Sequence, residues 1–458
     1  MKKKLQLLLS VSVLCVVLSI QVQGQTYYDF VIGSTSLSPA TSHSIIRTID
    51  PQHAVAYYSS GRTHKLAVID INGNHIHTEY LDDIVINDIR VVGNDIILCG
   101  WDTTNYYGVL GYASVTSILS STPSINFQKI DMNIGNTLTI PWRLAAYIDN
   151  SGMFRVVTIG EMYYSSLSTV PPWFYPCSNS YYLGCHTFFV LECTYSTGVF
   201  SPVGCRFLCD VNRYERADDL VLTDNWLAII TQYPAKNELV IHRCNKDNVV
   251  GTLDPYRSYT VPNYEGMYHC CKMKEDTIAL VAQYQPWWTT TYETHMRTVD
   301  LSTWAMTNAQ YYPLLDKAEP EEIVYLPDYA TLVLLQCQKF TSGAFHYAYV
   351  YWKPYAAPPY NADLIYESGD NPFHSIDLLT TKHIVAAGGN YWIENDVVNI
   401  NPSSSCYTVD QQPILPLSTI SDAKDTYSYH TQPFSLSPIP ISEFPQILYP
   451  LIPYCIEP

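Results

Sequence analysis

Asn87-Asp88-Ile89-Arg90-Val91-Val92-Gly93-Asn94-Asp95-Ile96-Ile97-Leu98 and Asp218-Asp219-Leu220-Val221-Leu222-Thr223-Asp224-Asn225-Trp226-Leu227-Ala228-Ile229 align residue for residue, without a gap. Each opens on a polar residue, runs through a short apolar strand, turns on Gly, Asn or Asp, and returns as a strand that is apolar almost throughout. A strand of that second kind reads as covered on both faces. One such unit cannot bury its own faces, so its recurrence at intervals of about fifty residues points to a ring or stack of small sheets.

Starts of the same unit fall near Ser44, Asn87, Trp142, Asp218, Gly266, Glu321 and His374. The second unit carries four strand patterns, at residues 89–92, 96–99, 108–112 and 125–130, and residues 277–282 and 331–335 repeat the apolar second strand. No stretch longer than about ten residues holds a 3.6-residue apolar period, so helices are expected to be short and local. The expected fold is all-β: a single β-propeller over residues 25–410, with seven blades preferred and six or eight as the neighbouring counts. A pair of β-sandwiches would suit the length but gives no reason for a repeat.

Residues 27–32 read as a strand without a partner in its own unit, expected to close the ring by pairing near residues 397–400. Beyond Asp410 the composition turns to Pro, Ser, Ile and Leu, as in Ser435-Leu436-Ser437-Pro438-Ile439-Pro440. Residues 411–458 are therefore expected to form an extended C-terminal tail packed on the propeller, with prolines preventing a long strand and Cys455 tied to Cys406.

The third unit is long. Between Glu161 and Cys209 it holds Met162-Tyr163-Tyr164, Val170-Pro171-Pro172-Trp173-Phe174-Tyr175-Pro176 and Cys177, Cys185, Cys193, Cys205 and Cys209. We read this as a disulfide-rich loop insertion in the third blade, and such insertions map to one face of a repeat array. The disulfide expectation rests on the chain's start. Residues 1–24 read as a signal peptide: Lys2, Lys3 and Lys4, an apolar run to Ile20, and Val22-Gln23-Gly24 before a cut that leaves Gln25 first. The mature protein is expected to be secreted, periplasmic or on the cell surface, with no transmembrane segment. Thirteen cysteines less Cys15 leave an even number, as disulfides in an exported chain require. Zinc finds no Cys-x-x-Cys pair.

A formal charge of -17 and a pI near 5.1 oppose nucleic acid and anionic membrane surfaces as partners. Only 15% of residues are charged while Tyr numbers 39, which describes a neutral, aromatic, hydroxyl-rich surface. No Asn-x-Ser/Thr acceptor occurs with x other than Pro, which favours a bacterial exported protein.

Ala386-Ala387-Gly388-Gly389-Asn390-Tyr391-Trp392 resembles the double glycine of a kelch blade, and Ile97-Leu98-Cys99-Gly100-Trp101 through Gly108-Val109-Leu110-Gly111 is similar to exported bacterial repeat propellers. The resemblance covers about two blades; it implies a fold and a binding or scaffolding role, without a substrate. Asp300-Leu301-Ser302-Thr303-Trp304 is superficially similar to the aspartate box of sialidases, but lacks its Ser-x-Asp-x-Gly spacing.

No Gly-x-Ser-x-Gly elbow marks a nucleophile, and His53, His64, His269, His346 and His374 lack metal-ligand spacing. Two constellations remain. Polar residues at the start of each innermost strand face a propeller's channel, so Asp88, Arg143, Asp219, Glu322 and His374 are candidates for the channel mouth. Carboxylates gathered there suit calcium, a sugar's hydroxyls, or acid and base in glycoside cleavage. Trp173, Phe174, Tyr175, Trp287, Trp288, Tyr391 and Trp392 are candidates for an aromatic surface on the loop face. The expected function is an exported binding or scaffold module for a protein or glycan partner. The alternative is a carbohydrate-active hydrolase or lyase using the channel carboxylates.

Overall fold

The computed structural model describes residues 27–32, 44–60, 63–70, 75–81, 83–120, 124–132, 137–164, 185–208, 216–233, 237–253, 256–262, 265–284, 293–311, 317–339, 345–352, 360–367, 373–381, 383–388, 391–396, 407–416, 421–423, 429–439 and 451–456. It is all-β, with helix in the described residues limited to short turns such as Val115–Ile118, capped by the Ser114 hydroxyl.

Residues 44–80, 84–131, 137–208, 216–260, 265–311 and 317–367 each fold as a four-stranded antiparallel meander. Residues 373–396 supply three further strands, and Tyr27–Ile32 adds the fourth from the other end of the chain. The arrangement is a β-propeller. Five blades stand as separate sheets, and the meanders at 265–311 and 317–367 are fused into one nine-stranded sheet. Seven separate sheets are therefore not what the chain forms.

The strand that fuses them belongs to the tail. Tyr407–Pro416 pairs with Met306–Tyr311 on one side and Tyr360–Glu367 on the other. From there the tail travels backwards around the ring, adding an outer strand to sheet after sheet. Ser421–Ala423 pairs with Tyr256–Thr260, Tyr429–Gln432 with Val199–Leu208, and Ser435–Ile439 with Asn126–Asp131. Leu451–Ile456 pairs with Tyr27–Ile32. Pro438 lies inside one of these strands, opposite Gln128. An outermost strand needs hydrogen bonds on one side only, so proline is accommodated there.

Tyr27–Ile32 closes the last sheet by pairing with Tyr391–Asn395, a few residues before the expected 397–400. Apolar clusters fill the spaces between successive sheets. In Cys185–Ser196, Phe189, Leu191 and Cys193 pack towards the second sheet while Phe188 and Val190 pack towards the fourth. In Trp226–Tyr233, Leu227 and Ile229 face the third sheet while Ala228 and Ile230 face the fifth. Alternate residues of one strand thus enter two cores, which is why the second strands carry so few polar positions.

The expected disulfide-rich insertion is corrected here. Cys185, Cys193 and Cys205 fall within the regular strands Cys185–Ser196 and Val199–Leu208, which leaves only residues 165–184, outside the described residues, for an insertion. Cys193 and Cys205 are buried thiols in no disulfide, as are Cys99 and Cys244, and the half-buried Cys270 and Cys271 are in no disulfide either. Cys193 stands opposite Pro202 and Cys205 opposite Leu191, making the two cysteines diagonal neighbours across adjacent strands. Diagonal pairs lie about 7–8 Å apart, beyond the span a disulfide bridges without backbone movement. Burial in apolar surroundings pushes both thiols up and leaves them unreactive. Cys177, Cys209 and Cys406 lie outside the described residues; the backbone at Cys455 is set opposite Asp29. Alkylation in denaturant without reductant, read by intact mass, is expected to label at least these six thiols. Labelling of fewer than two would restore the disulfide reading.

Candidate functional site: the central channel

The innermost strands converge on a central cavity of about 320 Å³. Those strands share a local irregularity. An extra residue bulges from the ladder between Ile86 and Asp88, Pro141 and Arg143, Ala217 and Asp219, Pro320 and Glu322, and Phe373 and Ser375. A bulge re-aims the side chain that follows it. Asp88, Arg143, Asp219 and Glu322 all occupy that following place, so the sequence repeat located four members of a ring. His374 is the bulging residue itself. Ser375 holds the equivalent place, while His374 is half-buried with Nδ1 3.5 Å from Glu321 Oε2.

Carboxylates of this ring fasten four of the inner strands to the next through backbone amides. Asp88 is fully buried: Oδ1 accepts from Ile89 N at 2.8 Å and Oδ2 from Leu144 N, in the following sheet, at 2.9 Å. Asp219 repeats the device with Leu220 N at 2.8 Å and Cys270 N at 2.8 Å. Glu322 accepts from Ile376 N at 2.9 Å and from the Ser375 hydroxyl at 2.6 Å. Asp377 reaches from the last sheet to the first, accepting from Thr48 N at 2.7 Å.

Three guanidiniums sit among them. Arg47 is buried, with Nη2 3.1 Å from Asp88 and 2.7 Å from Glu322, and it also donates to the Ile46 and Ile89 carbonyls. Arg90 donates to the Leu144 carbonyl at 2.8 Å and pairs with Asp88 at 3.1 Å. Arg143 Nε lies 3.5 Å from Asp219 Oδ1. Burial would raise Glu322, but Arg47 and Arg143, with the Ser375 hydrogen bond, hold it down at about 2. For Asp219 and Asp377 burial prevails over Arg143 and Arg47 respectively, and both carboxyls are raised.

Arg47, Arg90 and Asp377 escaped the sequence reading. Arg90 and Asp377 follow Asp88 and Ser375 by two positions, the spacing that returns a strand's side chains to one face. That period was available as a signal; Arg47 was hidden because the first unit's start is irregular. Among the described residues no group of His, Cys, Asp and Glu is arranged to hold a metal ion.

A second polar cluster lies in the fifth sheet. Glu265 is buried and accepts from the Tyr268 hydroxyl at 2.7 Å and from Arg297 at 2.6 and 2.9 Å. His295 Nδ1 stands 2.5 Å from Glu265 and its Nε2 3.0 Å from Glu293, with Tyr284 stacked on the ring.

Topology places the strands that flank the aromatic candidates. Successive strands of a meander run antiparallel, so connections from second to third strands leave on the same face as connections between meanders. Residues 165–184 and 285–292 are both second-to-third connections, and Tyr391 and Trp392 open the third strand of the last sheet. Trp173, Phe174, Tyr175, Trp287 and Trp288 themselves lie outside the described residues. No described helix is long and apolar enough to cross a membrane. No protein-family model matches the chain, and no curated protein matches it either.

Proposed function

We propose that this chain is an exported binding or scaffold module that presents one face of loops to a protein or glycan partner. The reading counts the nine-stranded sheet as two blades bridged by the tail, giving a propeller of seven, similar in pattern to exported bacterial repeat propellers and, at Gly388-Gly389, to kelch blades. Export is supported by the leader-like residues 1–24.

The observation that carries the proposal is the shared face. Three aromatic segments far apart in sequence are flanked by strands that open on one side of the ring, where flat rings suit sugar faces or a protein surface. The hydrolase reading has less support. Asp88 and Glu322 spend both oxygens on backbone amides, a hydroxyl and guanidiniums, and Glu322 is held ionised, unfit to donate a proton near neutral pH.

The test uses the chain from Gln25 on an array of glycans and extracellular proteins. Replacing Trp287 and Trp288 together, or Tyr391 and Trp392 together, with Ala is expected to weaken binding at least about tenfold without lowering the melting temperature. Glycan cleavage abolished by Asp219→Asn would overturn the proposal in favour of an enzyme, as would binding indifferent to both aromatic pairs.

A further inference from the structure

The three channel guanidiniums are not equally occupied. Arg47 satisfies Asp88, Glu322, Ser375 and two carbonyls, and is buried by doing so. Arg90 is committed through Nε to Leu144 and through Nη2 to Asp88. Arg143 is different. Its one polar contact among the described residues is the long Nε approach to Asp219 at 3.5 Å, and neither terminal nitrogen makes a hydrogen bond there. The side chain nevertheless lines the cavity and is only 23% exposed.

We propose that the central cavity is a binding site for a small oxyanion, a carboxylate or phosphate group, held by the Arg143 fork. A guanidinium presents paired parallel donors that match the two oxygens of such a group, and a site shielded from water strengthens that match. The cavity volume, about 320 Å³, lies at the lower end of the range of small-molecule sites, roughly 300–1,000 Å³. Local charge permits it. Four cations, Arg47, Arg90, Arg143 and Lys272, line the cavity against three carboxyls, Asp219, Glu322 and Asp377. The net charge of -17 repels anions at long range, so the affinity has to come from the fork itself. This site is separate from the aromatic loop face, so either can fail without the other.

Calorimetric titration of the full chain in chloride buffer with citrate and, separately, inorganic phosphate tests the assignment. Saturable binding of one of them is expected, and which one separates carboxylate from phosphate recognition. Arg143→Lys keeps the charge but loses the fork and is expected to weaken binding at least tenfold; Arg143→Gln is expected to abolish it. Lys274→Gln, which removes an exposed cation of the same strand as Lys272 that does not line the cavity, serves as a control and is expected to change affinity less than twofold. Should the Arg143 variants misfold, a guanidinium resonance of the wild-type chain that shifts saturably with the anion carries the same information. Failure of both anions to bind the wild-type chain overturns the proposal. Equal affinity in wild type and Arg143→Lys does so too.

Discussion

A chain ending at residue 406 is expected to show no cooperative unfolding transition and to aggregate. Truncation there removes every strand of the tail, which together lie along the outer edges of the second to the last sheets. Those edges would then display rows of unpaired amides and carbonyls, a template for pairing with other molecules. Each lost ladder hydrogen bond removes about 1 kcal/mol, and five strands hold enough of them to exceed the roughly 5–15 kcal/mol that keeps a domain folded. Calorimetry and light scattering of the truncated chain check this. An unchanged melting temperature would show that the sheets stand without their fifth strands.

Glu265→Ala is expected to cost about 3–5 kcal/mol, the range for breaking a buried ion pair from one side. The substitution strands the Arg297 guanidinium, which is 1% exposed, and takes away the partner of His295 Nδ1 and of the Tyr268 hydroxyl. The same carboxylate makes stability depend on acid. Burial would raise Glu265, but Arg297 and His295 hold it at about 2, below its ordinary value of 4.5. A depressed carboxylate stabilises the folded chain fully above its unfolded value. By linkage that contribution, about 3 kcal/mol, is lost as the pH falls from about 4.5 through 2. Glu322, held at about 2 in the channel, loses its contribution over the same window. Melting temperatures measured from pH 7 to pH 2 should fall steeply in that interval, and Glu265→Gln should flatten part of the fall. A wild-type profile level to pH 3 would contradict the charge assignments.

The repeat was legible because two physical constraints act on the same few residues. A strand packed on both faces must be apolar at successive positions, as residues 96–98 and 227–230 are, and a bulged inner strand must aim one polar side chain at the next sheet. Both leave marks in a single segment of sequence. The tail leaves none, because four of its five strands are short and outermost, hydrogen-bond through the backbone and accept proline. Ser435–Ile439 therefore reads like a loop and folds as a strand. Cysteine number misled for a related reason: Cys193 and Cys205 act as small apolar side chains in a shared core. The channel carboxylates were found by position, but their work as clasps between sheets depends on amides fifty residues away, such as Leu144 N for Asp88.

The pairing of Tyr28 with Ile456 and of Asp29 with Cys455 sets the timetable of folding. The first strand of the ring finds its outer neighbour only once residues 451–456 have been made. Up to that moment the growing polypeptide can form individual meanders, whose pairings are local, while the sheet that joins its two ends stays incomplete. Pairings across such sequence distances are slow to form, and the unfinished edges are exposed in the interval. Closure of this sheet thus comes after the synthesis of the more than four hundred residues that separate Tyr27–Ile32 from Leu451–Ile456.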